Sequence, residues 1–213
     1  MRALQGVGRP IVYVITNGQA TVEQFDEAAG QIILLIEAAV AEKVALIQIR
    51  EKRLLGKQLF ELASMSVRAT RGTSTKLLIN DRTDIAAAAG ADGVHLTETS
   101  IPVSVVRKAF GDKLIIGQSV HSAKKAIAAS EDGADFAVYS PVFGTPGKGT
   151  AVGIESLAET CSSVAPFPMI GLGGIDVSNC KAVVQAGAAG VAGIRSFSER
   201  KGLRSIIRAL DDD

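Results

Sequence analysis

The sequence predicts a single (β/α)8 barrel, and three observations favour this fold class. The chain has 213 residues, a length at which α/β barrels often form one domain. Short β-branched segments alternate with amphipathic segments of helical period along the chain. Eight segments of each kind follow in strict order, which favours a closed barrel over an open doubly wound sheet. We therefore expect one barrel domain over residues 1–213.

The eight strand segments are apolar throughout and bounded by turn residues, which is typical of parallel strands buried on both faces. These strands are predicted at residues 11–16, 45–49, 77–79, 93–96, 114–116, 136–139, 169–172 and 190–194. The segments between them carry apolar residues with helical period, as in helices that bury one face. These helices are predicted at residues 22–43, 56–71, 83–89, 103–110, 123–130, 154–163, 178–186 and 202–210.

Three glycines separate a predicted helix from the strand that follows it. They are Gly90, Gly133 and Gly187. A glycine just past a helix accepts the left-handed conformation that ends the helix. We expect these turns on the N-terminal face of the barrel, where residues serve stability rather than chemistry.

The composition gives no reason to expect a nucleic-acid or membrane partner. Lys and Arg number 23 against 22 Asp and Glu, and no basic stripe or aromatic platform is present. Mean hydropathy is +0.26, but no apolar run reaches the roughly 18 residues of a spanning helix. Cys161 and Cys180 lie on apolar helix faces, so we expect buried packing residues. No signal peptide is predicted after Arg2, and a cytoplasmic location is expected.

The residues that carry chemistry in a barrel lie at the carboxyl ends of the strands and in the loops that follow. At the end of predicted strand two, Gln48 and Arg50 share one face and Lys52 follows. Polar side chains on a lumen face are costly unless they meet a ligand or each other. A guanidinium and an ammonium together suit phosphate or pyrophosphate. The alternative is an ion pair between Arg50 and Asp81.

Strands three and four are followed by further polar residues. Asn80 and Asp81 end strand three, and Asp81 is the carboxylate best suited to Mg²⁺, which binds one or two carboxylates together with substrate phosphates. The alternative for Asp81 is an N-cap of the helix that opens near Thr83. His95 lies inside strand four, where a core histidine and a site histidine fit the sequence equally well.

The loops after strands five and six contain candidate catalytic and mobile residues. His121 lies in a predicted loop at the barrel mouth with Ser119 and can move protons near neutral pH, whereas Ser122 is expected to cap a helix. After strand six, Thr145 and Lys148 lie in a Gly/Pro-rich segment that predicts a loop closing over an anion. A bare surface turn is the alternative for this segment.

Glycines follow both of the last two strands. Gly173 and Gly174 follow strand seven, and Gly193 and Ile194 end strand eight. Backbone amides at these two strand ends form the usual phosphate site of (β/α)8 barrels, and glycine lets the backbone approach the phosphate oxygens. The pair of segments predicts a site for a phosphate-bearing small molecule.

Six segments, taken together and in this order, resemble the thiamine phosphate synthase/TenI family. They are Val12-Tyr13-Val14-Ile15-Thr16, Gln48-Ile49-Arg50-Glu51-Lys52, Asn80-Asp81-Arg82, Ala91-Asp92-Gly93-Val94-His95-Leu96, Ser119-Val120-His121 and Gly173-Gly174-Ile175. The resemblance covers nearly the whole chain. It implies a (β/α)8 fold and a place in thiamine biosynthesis.

The family contains two activities. Its synthases join hydroxymethylpyrimidine diphosphate to thiazole phosphate with Mg²⁺ and release pyrophosphate. Its TenI-type tautomerases aromatise a thiazole carboxylate phosphate by proton transfer and need no metal. For a synthase, the resemblance implies a pyrophosphate site at Gln48, Arg50, Lys52 and Asn80 with Mg²⁺ on Asp81, mobile-loop contacts from Thr145 and Lys148, and a thiazole phosphate site at Gly174, Gly193 and Ile194.

The sequence departs from the synthase pattern in two places. The synthase motif after strand four usually ends in a carboxylate that binds Mg²⁺, whereas Ser100 stands there unless Glu98 substitutes for it. The loop after strand six has one threonine, Thr145, where synthases usually have two. His121 resembles the proton-transfer histidine of the tautomerases, although synthases often carry a histidine there too.

These departures place a TenI-type tautomerase first among three hypotheses, with His121 moving a proton between carbon and nitrogen. A thiamine phosphate synthase comes second, since Gln48, Arg50 and Lys52 are all present. A binding protein for phosphate ligands that has lost its metal is the third. The expected partners are a phosphorylated thiazole and, for the synthase, a pyrimidine diphosphate. Apolar outer helices also predict a homodimer.

Overall fold

The computed structural model describes residues 9–144 and 150–211, which contain a closed barrel of eight parallel strands in chain order. The strands are β1 (Ile11–Ile15), β2 (Leu46–Ile49), β3 (Lys76–Asn80), β4 (Gly93–Leu96), β5 (Ile115–Val120), β6 (Phe136–Tyr139), β7 (Met169–Leu172) and β8 (Gly190–Gly193). The helices are α1 (Phe25–Ala41), α2 (Gly56–Thr70), α3 (Thr83–Ala89), α4 (Val103–Phe110), α5 (Ala123–Glu131), α6 (Ile154–Val164), α7 (Cys180–Gln185) and α8 (Arg200–Asp211). The predicted fold class is confirmed.

The barrel closes where β1 pairs with β8, in the register Ile11 to Gly190. Side chains that point into the lumen form one apolar cluster, which includes Tyr13, Leu46 and Phe136. The opposite strand faces pack against the helices, as Ile47 and Ile49 show on β2. This alternation places Gln48, like Leu46, on the lumen side of β2, as the period of a strand requires.

The three glycine turns adopt the predicted conformation. Gly90, Gly133 and Gly187 have φ angles of 74°, 92° and 93°, in the left-handed region. Each turn follows a helix and leads into a strand at its N-terminal end. Cys161 and Cys180 are buried free thiols, as the sequence predicts.

The fifth strand is longer than predicted, and this is the main error in the predicted elements. The prediction of 114–116 ended at the polar residues, but β5 continues to Val120. Gly117, Gln118 and Ser119 keep the parallel ladder with β6. Pairing with a neighbouring strand outweighs the low strand propensity of these residues, because propensity depends on context. Ser119 therefore lies within a strand, not in a loop.

Candidate active site

Two adjoining cavities open at the C-terminal face of the barrel, and they share Leu172 and Ile194. The first, here called the glycine cavity, has a volume of about 600 Å³. Its lining includes Asn17, Gln19, Gly173, Gly174, Gly193, Arg195 and Ser196. The second, here called the cation cavity, has a volume of about 390 Å³. Its lining includes Gln48, Arg50, Lys52, Asn80, His95, Glu98, Ser119 and His121.

The glycine cavity brings together the residues predicted after strands seven and eight. Gly174 has a φ of 62°, and a Cβ there would lie 2.8 Å from the carbonyl oxygen of Gly144. A Cβ on Gly193 would overlap the ring of Phe197, which is fully buried. Both positions require glycine, so backbone N–H groups can approach a ligand closely there. The arrangement suits a phosphate group.

The cation cavity brings together the polar residues predicted after strands two, three and five. Arg50 is partly buried and Lys52 is exposed, and both line this cavity. The described residues contain no ion pair between Arg50 and Asp81, so that alternative is wrong. Neither Arg50 nor Lys52 forms an ion pair with another described residue, so both cations are available to an anionic ligand.

A chain of hydrogen bonds joins four residues that line the cation cavity through the buried Tyr13. Gln48 Nε2 donates to Asn80 Oδ1 at 3.0 Å, and the Tyr13 hydroxyl donates to Gln48 Oε1 at 3.3 Å. His95 Nδ1 lies 3.2 Å from the Tyr13 oxygen, and His95 Nε2 lies 2.9 Å from Ser119 Oγ. Polar groups in the lumen are thus satisfied by one another, as burial requires.

The direction of this chain assigns the His95 proton. Tyr13 has one hydroxyl proton, and it is donated to Gln48. The Tyr13 oxygen must then accept from His95, so His95 carries its proton on Nδ1. His95 Nε2 accepts from the Ser119 hydroxyl. Burial, with a smaller contribution from the Arg50 charge, lowers the pKa of His95 to about 3, so the ring is neutral at physiological pH.

Lowering the pH should destabilise the protein through His95. Because the folded pKa lies below the unfolded value of about 6.5, the unfolded chain binds more protons between these two values. Stability is full above about pH 6.5 and falls by about 1.4 kcal/mol per pH unit toward pH 3. The free energy of unfolding, measured with urea, should be about 2 kcal/mol lower at pH 5 than at pH 7 because of this residue.

The control for this slope is the other histidine of the chain. The sequence contains two histidines, and His121 is exposed. The slope between pH 7 and pH 5 should persist in His121→Ala and disappear in His95→Asn. Equal stability of the wild-type protein at the two pH values would contradict the burial of a neutral His95.

His121 lies at the rim of the cation cavity, directly after β5. Its Nδ1 donates to the carbonyl oxygen of Ser140 at 2.6 Å. In the neutral ring this bond leaves Nε2 as the acceptor nitrogen. His121 is therefore oriented by the backbone and has a ring nitrogen that can take a proton. Ser122 caps α5 by accepting from the Lys125 N–H at 3.3 Å, as the sequence predicts.

The carboxylates proposed for a metal lie at the ends of β3 and β4. Asp81 has a φ of 64° and its backbone N–H donates to the His95 carbonyl oxygen at 2.9 Å, but it lines a separate cavity of about 230 Å³ beside the cation cavity. The N-cap of α3 is Arg82, without a side-chain cap, so the N-cap alternative for Asp81 is wrong. Glu98 lines the cation cavity.

Ser100 closes a turn and does not line the cation cavity. Its Oγ accepts from the Thr97 N–H at 2.8 Å and lies 2.9 Å from Thr97 Oγ1. This turn presents Thr97, Glu98 and Thr99 to the cavity. Among the described residues, no group of three or more His, Cys, Asp or Glu side chains could hold a metal ion. Thr145 and Lys148 lie outside the described residues.

Sequence reasoning missed several residues that line the cavities. Asn17 and Gln19 follow β1, in a turn without the glycine pattern of a nucleotide site. Arg195 and Ser196 follow β8 directly, so their position at a strand end was a usable signal. Tyr13 gives no such signal, because an aromatic residue inside an apolar strand resembles any other core residue.

Comparison with known proteins decides the family. A family model described as thiamine monophosphate synthase matches residues 12–197. The chain belongs to this family. The thiamine-phosphate synthase of Roseiflexus castenholzii is 36% identical over 208 residues, covering 96% of this chain and 88% of that protein. The thiamine-phosphate synthase of Ruminiclostridium cellulolyticum is 34% identical over 201 residues, covering 93% of this chain and 92% of that protein.

A solved structure agrees with these relatives. The thiamine phosphate pyrophosphorylase from Pyrococcus furiosus has a TM-score of 0.80 and 27% identity to this chain, covering 95% of this chain and 96% of that one. The predicted resemblance and the prediction of a thiamine-biosynthesis enzyme are confirmed. The named relatives are synthases, so they favour the second predicted activity over the tautomerase that the sequence placed first.

None of the described helices of this thiamine monophosphate synthase family member is long and apolar enough to cross a membrane.

Proposed function

We propose that the protein is a thiamine phosphate synthase, which joins hydroxymethylpyrimidine diphosphate to thiazole phosphate and releases pyrophosphate. The observation that carries this proposal is the pair of adjoining cavities, each with a lining that suits a phosphate-bearing substrate. One is built from backbone at glycines, and the other presents Arg50 and Lys52. Two substrates that each carry phosphate need two such places next to each other.

In this proposal, the glycine cavity holds the thiazole phosphate at Gly173, Gly174, Gly193 and Ile194. The cation cavity holds the diphosphate at Gln48, Arg50, Lys52 and Asn80, with Ser119 beside them. The thiazole nitrogen attacks the methylene carbon of the pyrimidine, a C–N bond forms, and the C–O bond to the diphosphate breaks. Arg50 and Lys52 stabilise the negative charge that develops on the leaving pyrophosphate.

The two shared residues have a separate role in this scheme. Leu172 and Ile194 line both cavities, so they lie where the two substrates would meet. Their apolar side chains exclude water from the place where the C–N bond forms, which protects the pyrimidine carbon from hydrolysis.

The donor set fits a Mg²⁺ ion that arrives with the diphosphate. Mg²⁺ usually keeps several waters and binds one or two carboxylates together with substrate phosphates. Glu98 lines the cation cavity and Asp81 lines the cavity beside it, after the neighbouring strands β4 and β3, and these two residues would supply the carboxylates. When bound, Mg²⁺ neutralises part of the charge of the pyrophosphate leaving group.

The experiment that tests this function is a product assay with both substrates and Mg²⁺. Thiamine phosphate should form with the wild-type protein, and chelation of Mg²⁺ by EDTA should stop its formation. Absence of thiamine phosphate, with binding of phosphate ligands preserved, would contradict the synthase and support a binding protein instead.

A tautomerase is the second candidate, and one observation favours it. His121 is held by the Ser140 carbonyl at 2.6 Å and lines the cation cavity, so its Nε2 is placed for proton transfer. The joining of two substrates needs no such base.

His121→Ala separates the two candidates. For a synthase, we expect its kcat for thiamine phosphate to stay within about fivefold of wild type, because one rim contact is worth about 1 kcal/mol. For a tautomerase, the same change should lower aromatisation of the thiazole carboxylate phosphate by about 100-fold or more. Aromatisation that is abolished in the variant, with no thiamine phosphate formed by the wild-type protein, would contradict the synthase.

A further inference from the structure

Glu51 is a buried carboxylate that connects two parts of the barrel mouth. It lies between Arg50 and Lys52 in the chain, yet it is 2% exposed and does not line the cation cavity. Its Oε1 accepts from the Gly18 N–H at 3.1 Å and its Oε2 from the Ala20 N–H at 2.9 Å. Hydrogen bonds to an ionised carboxylate are about twice as strong as neutral ones. Glu51 thus ties the end of β2 to the segment after β1.

The segment tied by Glu51 is a turn of residues 17–20, here called the 17–20 turn. Besides the two N–H groups bound by Glu51, the Gln19 N–H donates to Asn17 Oδ1 at 3.0 Å. The three successive N–H groups of the turn are therefore bound by side-chain oxygens of the protein itself. These three N–H groups are not available to a ligand, so the donors that the turn can offer include the side chains of Asn17 and Gln19.

Those side chains lie in the glycine cavity. Asn17 and Gln19 line it together with Gly174 and Gly193. Because Asn17 Oδ1 is bound by the turn, its Nδ2 protons are the donors left for a ligand. The end of β2, in contrast, contributes Arg50 and Lys52 to the cation cavity. Glu51 thus connects a segment of one lining to a segment of the other.

A second contact holds the same two segments together. The Arg50 N–H donates to Thr16 Oγ1 at 2.8 Å. A Cβ on Gly18 would lie 3.2 Å from the Arg50 carbonyl oxygen and 3.3 Å from its Nη1, closer than nearly all side chains approach. The turn therefore packs directly on the arginine of the cation cavity.

We propose that Glu51 is a positioning residue that holds Asn17 and Gln19 against a phosphate group in the glycine cavity. The proposal rests on the proposed function only in taking that group to belong to the thiazole substrate. In a Glu51→Gln variant, the amide oxygen could accept from one of the two N–H groups, but the amide NH₂ would face the other. The turn would then move, and the two side chains would leave their places in the lining.

The sign of the effect separates positioning from simple electrostatics. Glu51→Gln removes a negative charge next to two cations, so electrostatics alone predicts tighter binding of an anion. If Glu51 acts by positioning, Glu51→Gln should weaken phosphate binding, because Asn17 and Gln19 would no longer donate hydrogen bonds to the phosphate. The two explanations therefore make opposite predictions for one measurement.

The test is a titration of the full chain with inorganic phosphate, followed by the amide resonances of Gly174 and Gly193. Both glycines line the glycine cavity and neither lines the cation cavity, so their resonances respond most directly to phosphate in the glycine cavity. In Glu51→Gln, the phosphate Kd at these amides should rise about tenfold or more, as expected for the loss of a hydrogen bond to a charged group. The matched control is Glu61→Gln, an exposed position on α2, which should keep the wild-type Kd.

A second variant keeps the test valid if Glu51→Gln folds poorly. Asn17→Ala retains Glu51 and should by itself raise the phosphate Kd about fivefold. Where both variants fold, Asn17→Ala should add little in the Glu51→Gln background, since the two changes remove the same contact.

An unchanged or lower Kd in Glu51→Gln would overturn the proposal, and so would full additivity with Asn17→Ala. Wild-type amides of Gly174 and Gly193 that do not respond to phosphate would overturn it as well. Failure of the proposed function would appear differently, as absence of thiamine phosphate from a protein whose phosphate binding still depends on Glu51.

Discussion

Replacing Arg50 by alanine should lower kcat/KM for thiamine phosphate formation by about 100- to 1,000-fold. Arg50 lines the cation cavity. It forms no ion pair with any carboxylate among the described residues, so its guanidinium can bind the diphosphate. A guanidinium can bind phosphate oxygens through two parallel hydrogen bonds. Loss of two charge-assisted bonds costs about 3–4 kcal/mol, which corresponds to the expected factor.

Two variants make this measurement specific. Arg50→Lys retains the charge but loses the two parallel hydrogen bonds of the guanidinium, so kcat/KM should fall by an intermediate factor of about ten. Arg53→Ala removes the same kind of side chain from an exposed position three residues on, outside the cation cavity, and should retain wild-type activity. An Arg50→Ala enzyme within threefold of wild type would show that the cation cavity does not bind the diphosphate through this residue.

Replacing Gly193 by alanine should lower the free energy of unfolding by about 2–3 kcal/mol and weaken binding of thiazole phosphate. The new Cβ would overlap the ring of Phe197, which is 0% exposed and packed in the core. Overpacking of this kind costs about 1–3 kcal/mol. The melting temperature should fall by about 6 °C or more, measured by circular dichroism, and calorimetry should show the loss of affinity.

Gly30→Ala is the matched control for this change. Gly30 lies in α1, and an added Cβ there meets no atom within 4 Å. Alanine in a helix is favoured over glycine by about 1 kcal/mol, so the control should be slightly more stable than wild type. Wild-type stability in Gly193→Ala would mean that Phe197 does not pack against this backbone.

The fold was predictable because the periodicity of apolar residues in the sequence indicates its strands and helices. Most of the eight strands contain consecutive apolar residues, and strands that pair in chain order can be arranged from their order in the sequence. The prediction failed at β5, where Gly117, Gln118 and Ser119 lack strand propensity and take their conformation from the partner strand β6. The conformation of such residues depends on the strand with which they pair, and a local sequence pattern does not reveal that partner.

The candidate site was predictable wherever a polar residue ends a strand. Gln48, Arg50 and Asn80 could be found because they lie within or directly after the carboxyl end of an apolar strand. Tyr13 and Glu51 could not be found this way. Tyr13 is aromatic within an apolar strand, and the partners of Glu51 are backbone N–H groups 31 and 33 residues away. The direction of a hydrogen-bond chain appears only when its members are brought together.

Phosphorus NMR of one reaction mixture shows whether this chain joins two phosphorylated substrates. Hydroxymethylpyrimidine diphosphate, the wild-type protein and Mg²⁺ are observed before and after thiazole phosphate is added. We expect free pyrophosphate to appear only after that addition, in equal amount to thiamine phosphate. Release of pyrophosphate without thiazole phosphate, or no release in either case, would contradict the proposed synthase activity.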